Sequence, residues 1–303
     1  MAGQPATPIP STCSLPSLVV ESVPRWSSHA VPVDTGLFSP LGLQPTAVLR
    51  LAFSGAGSWL GRNAITHRSL VSEHHTGFVI WSASFTVGRP ASFFEADCLE
   101  LRVTGRVSGG GTQFACEGEV LSGLSSLARV QACCVPLRLD GDPALSGVPA
   151  RLSPEVLASF LPDEIEAEPV RSPVPGLRAT VIRDATLLAR HEAPFTIHRH
   201  QCEVADQWFW PEAASLASGG REDLVNAEAD RVPSLSRALA TPVHRLDLLF
   251  SRPFFLFDQG TVASSAFEWR QGLVFIHELH GVEGGQPRAV AIEQFTGAGP
   301  VWD

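Results

Sequence analysis

The chain has 303 residues, 44% of them hydrophobic and 17% charged, with a formal net charge of −9 at pH 7. It is long enough for two domains, apolar enough for a sizeable core and too weakly patterned in charge for a disordered chain. No basic cluster favours nucleic acid or an anionic membrane surface, and no apolar run reaches the ~20 residues needed to span a bilayer.

Other absences narrow the chemistry. All 22 basic residues are arginine, and tyrosine is missing. A lysine Schiff base, a Walker lysine and a tyrosine nucleophile or acid/base are therefore excluded. Met1 to Pro10 has neither a basic nor an apolar signal region, so a cytoplasmic protein is expected. In that setting the six cysteines, which show no CxxC spacing, read as buried thiols rather than disulfides or metal ligands.

Taken in chain order, residues 1–45 read as a Pro- and Ser-rich arm with one early strand at Leu15 to Val20. Ser58 to Ser69 has helical spacing, with Ser58 as N-cap and Trp59, Leu60, Asn63, Ala64 and His67 recurring along it. Strands follow at Phe78 to Val87, Leu99 to Val107, Gln113 to Val120 and Leu127 to Leu137, with a glycine turn at Gly109-Gly110-Gly111. Residues 140–176 read as a linker holding one short helix, with Ser153 as N-cap and Pro154 in the first turn. In the second half, Phe195 to Val204 reads as a strand carrying His198, His200 and Cys202 on one face. Pro211 to Ser218 reads as a helix stopped by Gly219-Gly220, with Asp223 to Asp230 extending the helical layer. Strands close the chain at Val243 to Ser251, Thr261 to Trp269, Leu273 to His280 and Ala289 to Phe295.

One phrase occurs twice. Arg89-Pro90 followed by Phe93-Phe94-Glu95-Ala96-Asp97 matches Arg252-Pro253 followed by Phe254-Phe255-Leu256-Phe257-Asp258. Each copy follows an apolar run and leads into an alternating one. The two aspartates are expected to shape equivalent turns and the four phenylalanines to be core. A helix followed by antiparallel strands, twice, argues an α+β class.

This order resembles a double hotdog fold, two helix-wrapped curved antiparallel sheets related by a pseudo-twofold axis. The resemblance implies an arm (1–45), a first hotdog (46–139), the linker (140–176) and a second hotdog (177–303). Gly57-Ser58-Trp59-Leu60 with His67 downstream, Phe94 to Leu101, and Val204-Ala205-Asp206 look closest to the family of the leinamycin bifunctional acyltransferase/decarboxylase. That enzyme is thought to use a tyrosine nucleophile, so its covalent mechanism does not carry over. The His-Lys and Glu-x-x-Arg-Gln phrases of the autoregulator synthases, another double hotdog family, are not found.

The resemblance implies an enzyme acting on an acyl thioester of coenzyme A or an acyl carrier protein in polyketide-type metabolism. Hydrolysis, dehydration and acyl transfer with decarboxylation remain open. Coenzyme A or phosphopantetheine enters only as part of the substrate, with no separate cofactor. A homodimer is allowed. The rival reading is a non-catalytic double hotdog that binds a carrier-linked acyl chain or a partner protein.

Hotdog enzymes place the thioester at the seam between units, near a helix N-terminus whose backbone N–H groups polarise the carbonyl. On that logic the catalytic candidates are Asp206, His200, His198 and Glu212, with backbone N–H groups near 208–212 as donors. Asp206 reads otherwise as a turn residue, Glu212 as a helix-dipole partner and the histidines as a solvated strand face. Asn63, His67, Trp59 and Trp208 are the substrate-binding candidates, with core or surface packing as the alternative. His277-Glu278-Leu279-His280 looks like a metal motif, but residues three apart on a strand face opposite ways, and no metal is assigned.

Overall fold

In this computed structural model, residues 25–139 and 147–295 are described. Cys13, the early strand expected at Leu15 to Val20 and the first residues of the linker lie outside them. The first half contains β1 (Ser27–Pro32), the small hairpin β2 (Phe38–Ser39) and β3 (Gly42–Leu43), α1 (Pro45–Asn63), α2 (His67–Ser72), β4 (Thr76–Val87), β5 (Cys98–Ser108), β6 (Gln113–Ser122) and β7 (Ser125–Leu139). A connector holds β8 (Gly147–Pro149), α3 (Pro154–Leu157) and α4 (Val174–Asp184). The second half contains β9 (Thr186–Thr196), α5 (Glu212–Glu228), α6 (Arg237–Ala240), β10 (Arg245–Phe250), β11 (Gln259–Trp269), β12 (Gly272–Gly281) and β13 (Ala289–Phe295).

The main sheet runs β1-β5-β6-β7-β4-β10-β13-β12-β11-β9, with β8 attached to β7. Read inward from either end, each half uses its own strands in the order first, third, fourth, fifth, second. The central pair, β4 against β10, is antiparallel and joins the halves into one sheet. α1 and α5 follow the first strand of their halves and pack on the sheet. This is the double hotdog arrangement, and it makes the class α+β.

The repeated phrase falls at the same place twice. Arg89 lies two residues beyond β4 and Arg252 two beyond β10, and Asp97 and Asp258 each immediately precede the third strand of their half. The residue after each first strand donates to the matching carbonyl: Val33 N–H to Asp97 O at 3.0 Å, Ile197 N–H to Asp258 O at 2.9 Å. The turn-closing carboxylates sit three residues beyond their donors, Glu95 taking Ser92 N–H at 2.8 Å and Asp258 taking Phe255 N–H at 3.0 Å. So Asp258 shapes its turn as expected, whereas in the first half Glu95 does this work.

Alternation in β5 turns Leu99, Leu101 and Val103 inward against α1, while Glu100 and Arg102 pair on the outer face at 2.8 Å. Gly55 of α1 lets the helix lie directly on that strand, since a methyl there would come within 2.6 Å of Val103. In the second half, α4 covers the opposite face of the sheet, packing Val174 and Val181 against Trp269, Val274, Ile276 and Ile292.

Several local expectations are corrected. The expected arm contains β1, which pairs with β5 as the first strand of the first half. The first helix starts at Pro45, so Ser58 is mid-helix and His67 opens the separate α2, capped by Thr66. Residues 198–202 form a 3-10 turn after β9 rather than a strand. Gly219-Gly220 does not stop α5: Gly220 is buried where a methyl would meet Ser264 Oγ at 2.7 Å, so helix and sheet approach closely there. Cys98 is exposed, not buried.

Of the four phenylalanines, only part of each pair is core. Phe254 is 1% exposed and Phe93 is half-buried, whereas Phe94 is 92% and Phe255 41% exposed. Phe254→Ala is therefore expected to cost ~3–5 kcal/mol and Phe94→Ala less than ~0.5 kcal/mol. Denaturant unfolding checks this, and equal losses in the two variants would contradict the placement.

Candidate active site

The loop from Ile197 to Pro211 leaves β9, crosses the seam and lies over the first half. Backbone bonds fix its course. Glu203 N–H donates to Gln207 O at 2.8 Å, and Asp206 N–H returns to Glu203 O at 3.1 Å. Asp206 makes this turn with a φ of 54°, a left-handed conformation that aspartate tolerates. Trp208 N–H donates to Phe254 O at 2.8 Å, and Leu256 N–H to Asp206 O at 2.9 Å, tying the loop to the second copy of the repeated phrase. Phe53 of α1 meets Phe209 and Trp210 edge-on at 5.2 and 6.2 Å, which closes the loop onto the other half.

Beneath the loop is a cavity of about 270 Å³. Phe53, Gly57 and Leu60 of α1, His67 and Val71 of α2, and Phe78, Ile80, Phe114 and Cys134 of the sheet line one side. Glu203, Ala205, Gln207, Trp208 and Trp210 of the second half line the other. An adjoining space of about 510 Å³ shares Val79, Ile80, Leu137, Gln207, Trp208 and Trp210 and extends to Arg252 and Phe255. The lining is mainly apolar, as an acyl chain requires.

Four titratable groups stand in this lining with displaced pKa values, two of them thiols. Burial raises the Glu203 carboxyl above the usual carboxylate range, because the charged form is poorly solvated there. Burial lowers the His67 imidazole for the same reason, keeping it neutral at neutral pH. Both residues are nonetheless exposed overall, so only the part of each that faces the cavity is shielded from water. The thiols of the same lining stay protonated: burial pushes Cys134 well above its ordinary value and Cys116 up to about 12.

The indoles of Trp208 and Trp210 are 4% and 6% exposed, and neither buried Nε1–H has an acceptor among the described residues. An unsatisfied buried donor costs about 1–3 kcal/mol.

The structure places the sequence candidates differently from one another. His67 and Trp208 line the cavity. Asp206 lies outside it, paired with Arg199 at 2.8 Å. His198 and His200 stack on each other at 6.0 Å on an exposed turn, away from both lined spaces. Glu212 is buried in the first turn of α5 and takes Arg50 Nε at 2.9 Å, an ion pair that joins α5 to α1 across the seam. Asn63 donates within its helix to Trp59 O at 3.0 Å. Trp59 is fully buried in the core and donates to Arg25 O at 2.6 Å.

Of the backbone donors expected near 208–212, most are occupied, and Trp210 N–H is the one with no backbone acceptor among the described residues. Trp208 and Phe209 donate to Phe254 O and Gln201 O, Glu212 donates to Phe209 O, and Pro211 has no N–H. Glu203 was missed because reading 195–204 as a strand put it opposite the histidines. The signal available was the turn-forming Ala205-Asp206 two residues beyond it.

His277 is fully buried and faces inward, with Nδ1 2.8 Å from Ser264 Oγ and Nε2 3.4 Å from Glu293, while His280 meets Gly285 O. Among the described residues no group of three His, Cys, Asp or Glu side chains is placed to hold a metal ion. No helix among them is long and apolar enough to cross a membrane.

No protein-family model matches the chain, and no curated protein matches it. Solved structures do. One assigned as an oleoyl thioesterase from Lactobacillus plantarum superposes with a TM-score of 0.68 at 12% identity, covering 90% of this chain and 95% of that one. The 12:0-ACP thioesterase from Umbellularia californica gives 0.64 at 12% identity, covering 89% and 94%. An acyl-ACP thioesterase from Bacteroides thetaiotaomicron gives 0.62 at 9% identity, covering 89% and 98%. At these identities the likeness establishes the fold.

Proposed function

We propose that this chain is an acyl-thioester hydrolase working at the seam between its two hotdog halves. The observation that carries the reading is that Glu203, a carboxyl with a raised pKa, and neutral His67 border the same mainly apolar cavity built from both halves. A base with a pKa nearer neutrality is better matched to moving a proton at physiological pH. The names of the three structures above, each a thioesterase, point the same way.

In the proposed reaction the Glu203 carboxylate takes a proton from water as the water oxygen bonds to the thioester carbon. The tetrahedral intermediate then collapses, the carbon–sulfur bond breaks, and the departing sulfur takes the proton back from Glu203. The products are a carboxylic acid and a free thiol. His67 is assigned a positioning role, holding the water by a hydrogen bond from its neutral ring. Hydrolysis is favoured over acyl transfer because the cavity thiols stay protonated and the chain has no tyrosine.

The substrate is read as the acyl thioester of coenzyme A or an acyl carrier protein, in the cytoplasm. Gly57, Leu60, Val204 and Ala205, from the motifs that resemble the leinamycin-type family, border the same cavity and support a polyketide-type acyl group. The test is incubation with a panel of acyl-CoAs and acyl-carrier proteins. Free thiol should accumulate over many turnovers with the protein mass unchanged. Saturable binding without thiol release would favour the non-catalytic reading, and an acyl adduct on the protein would contradict direct hydrolysis.

A further inference from the structure

We infer that Gly57 and Phe114 set the length of acyl group this site accepts, and that its substrates are medium-length acyl thioesters; this rests on the hydrolase reading of the same cavity. Glycine inside a helix is destabilising relative to alanine, so an interior helix glycine calls for a packing or functional reason. Gly55 of α1 has a packing reason, its close approach to Val103. Gly57 has none. It lies inside α1 and borders the cavity, and a methyl there would meet nothing within 4 Å apart from its own helix. What its missing side chain preserves is open space.

Phe53, Gly57 and Leu60 recur at i, i+4 and i+7, so they share the helix face that borders the cavity. Between the Phe53 ring, which meets Phe209 and Trp210, and the buried Leu60, that face is bare backbone at Gly57. Exposure gives the cavity a direction. Glu203, His67 and Gly57 are exposed, whereas Phe114, Cys116 and Ala132 on the sheet side are buried. The closed end is aromatic: Phe78 stacks on Phe114 at 5.3 Å, and Trp59 and Phe160 lie against Phe114 at 6.2 and 6.3 Å. An acyl chain whose thioester lies at Glu203 and His67 thus runs past Gly57 and ends at Phe114. A methylene fills about the room of a water molecule in the liquid, ~30 Å³, so the cavity of about 270 Å³ takes roughly nine carbons. The larger adjoining space borders neither Glu203 nor His67 and reaches the charged Arg252, so it suits the phosphate-bearing arm of the thiol.

The test is turnover of saturated acyl-CoAs and acyl-carrier proteins, from butyryl to palmitoyl, by the intact protein and by Gly57→Leu and Phe114→Ala. Values of kcat/KM should peak at octanoyl or decanoyl and fall at least about tenfold by palmitoyl, the scale on which an apolar pocket senses added methylenes. Gly57→Leu should lower the ratio of decanoyl to butyryl kcat/KM about tenfold or more. Its thermal midpoint should be no lower than the parent's, because leucine favours a helix over glycine. That combination separates a filled passage from a damaged fold. Phe114→Ala should move the optimum to longer chains. A parent kcat/KM that climbs steadily to palmitoyl, or an unchanged ratio in Gly57→Leu, would overturn the inference while leaving the hydrolase reading standing. No free thiol from any thioester would overturn the hydrolase reading and the inference with it. The parent and Gly57→Leu decide the matter even if Phe114→Ala folds poorly.

Discussion

Glu203→Gln is expected to lower thioester turnover by ~10²–10⁴, the range for loss of a general acid/base, while leaving the thermal midpoint nearly unchanged. The amide has almost the same shape and makes no new demand on the loop, whose course is set by backbone bonds from residues 203, 206 and 208. The pH dependence carries further information. Because burial raises the Glu203 pKa, the wild-type rate should climb with pH through that raised value as the carboxylate form gains population. The variant should lose this limb. The stability effect runs the other way. A carboxyl whose folded pKa lies above its unfolded one binds protons more tightly when folded, so it loses stability as pH rises through that window. At neutral pH the glutamine protein should thus be no less stable than the parent. Retained turnover, or a pH limb that survives the substitution, would move the base elsewhere.

A large stability effect is expected from the buried pair between Arg221 of α5 and Glu293 of β13. Arg221 Nη1 donates to both Glu293 oxygens at 2.6 Å, and both side chains are almost fully enclosed. Burial pushes the Glu293 pKa up, but the Arg221 charge and hydrogen bonds from His277 and Arg221 more than offset it, so the net shift is downward. Arg221→Met removes the compensating charge and leaves a carboxylate in the core, which should cost ~3–5 kcal/mol. The sign with pH follows from the depressed pKa. The stabilisation is full above the unfolded carboxyl pKa and is lost as pH falls through the folded one. Urea unfolding at neutral pH measures the loss, and a change below ~1 kcal/mol would contradict the pairing. Ser264, His277 and Glu293 line up like a hydrolytic triad, yet Gly220 of α5 closes directly over Ser264. This network is assigned to holding helix on sheet.

The parts of the fold legible in sequence were those with strict periodicity. The strands β4 to β7 and β10 to β13 alternate or run apolar, and the doubled Arg-Pro–Phe-Phe phrase marks the same corner of each half. The edges and helix ends were harder to read. The start of α1 carries Pro45 at its first turn after Gln44, which makes no side-chain cap, so the usual Ser/Thr/Asp signal is absent. β9 is an edge strand with exposed residues on both faces, which blurs its period. Gly220 reads as a stop signal, but its lack of a side chain serves close approach to Ser264. In the site, His67 and Trp208 were recognisable as a helix-associated histidine and an aromatic near the second helix. Glu203 was not, because the cavity it borders is completed by α1 and α2 of the other half, residues far from it in the chain.

The most direct test of the central claim is a crystal structure with an S-(2-oxoalkyl)-coenzyme A. The expected result is an acyl chain in the seam cavity between α1 and the Trp208 loop, with the ketone carbon facing Glu203 and His67. An analogue bound elsewhere, with the seam cavity empty, would contradict the assignment of the active site.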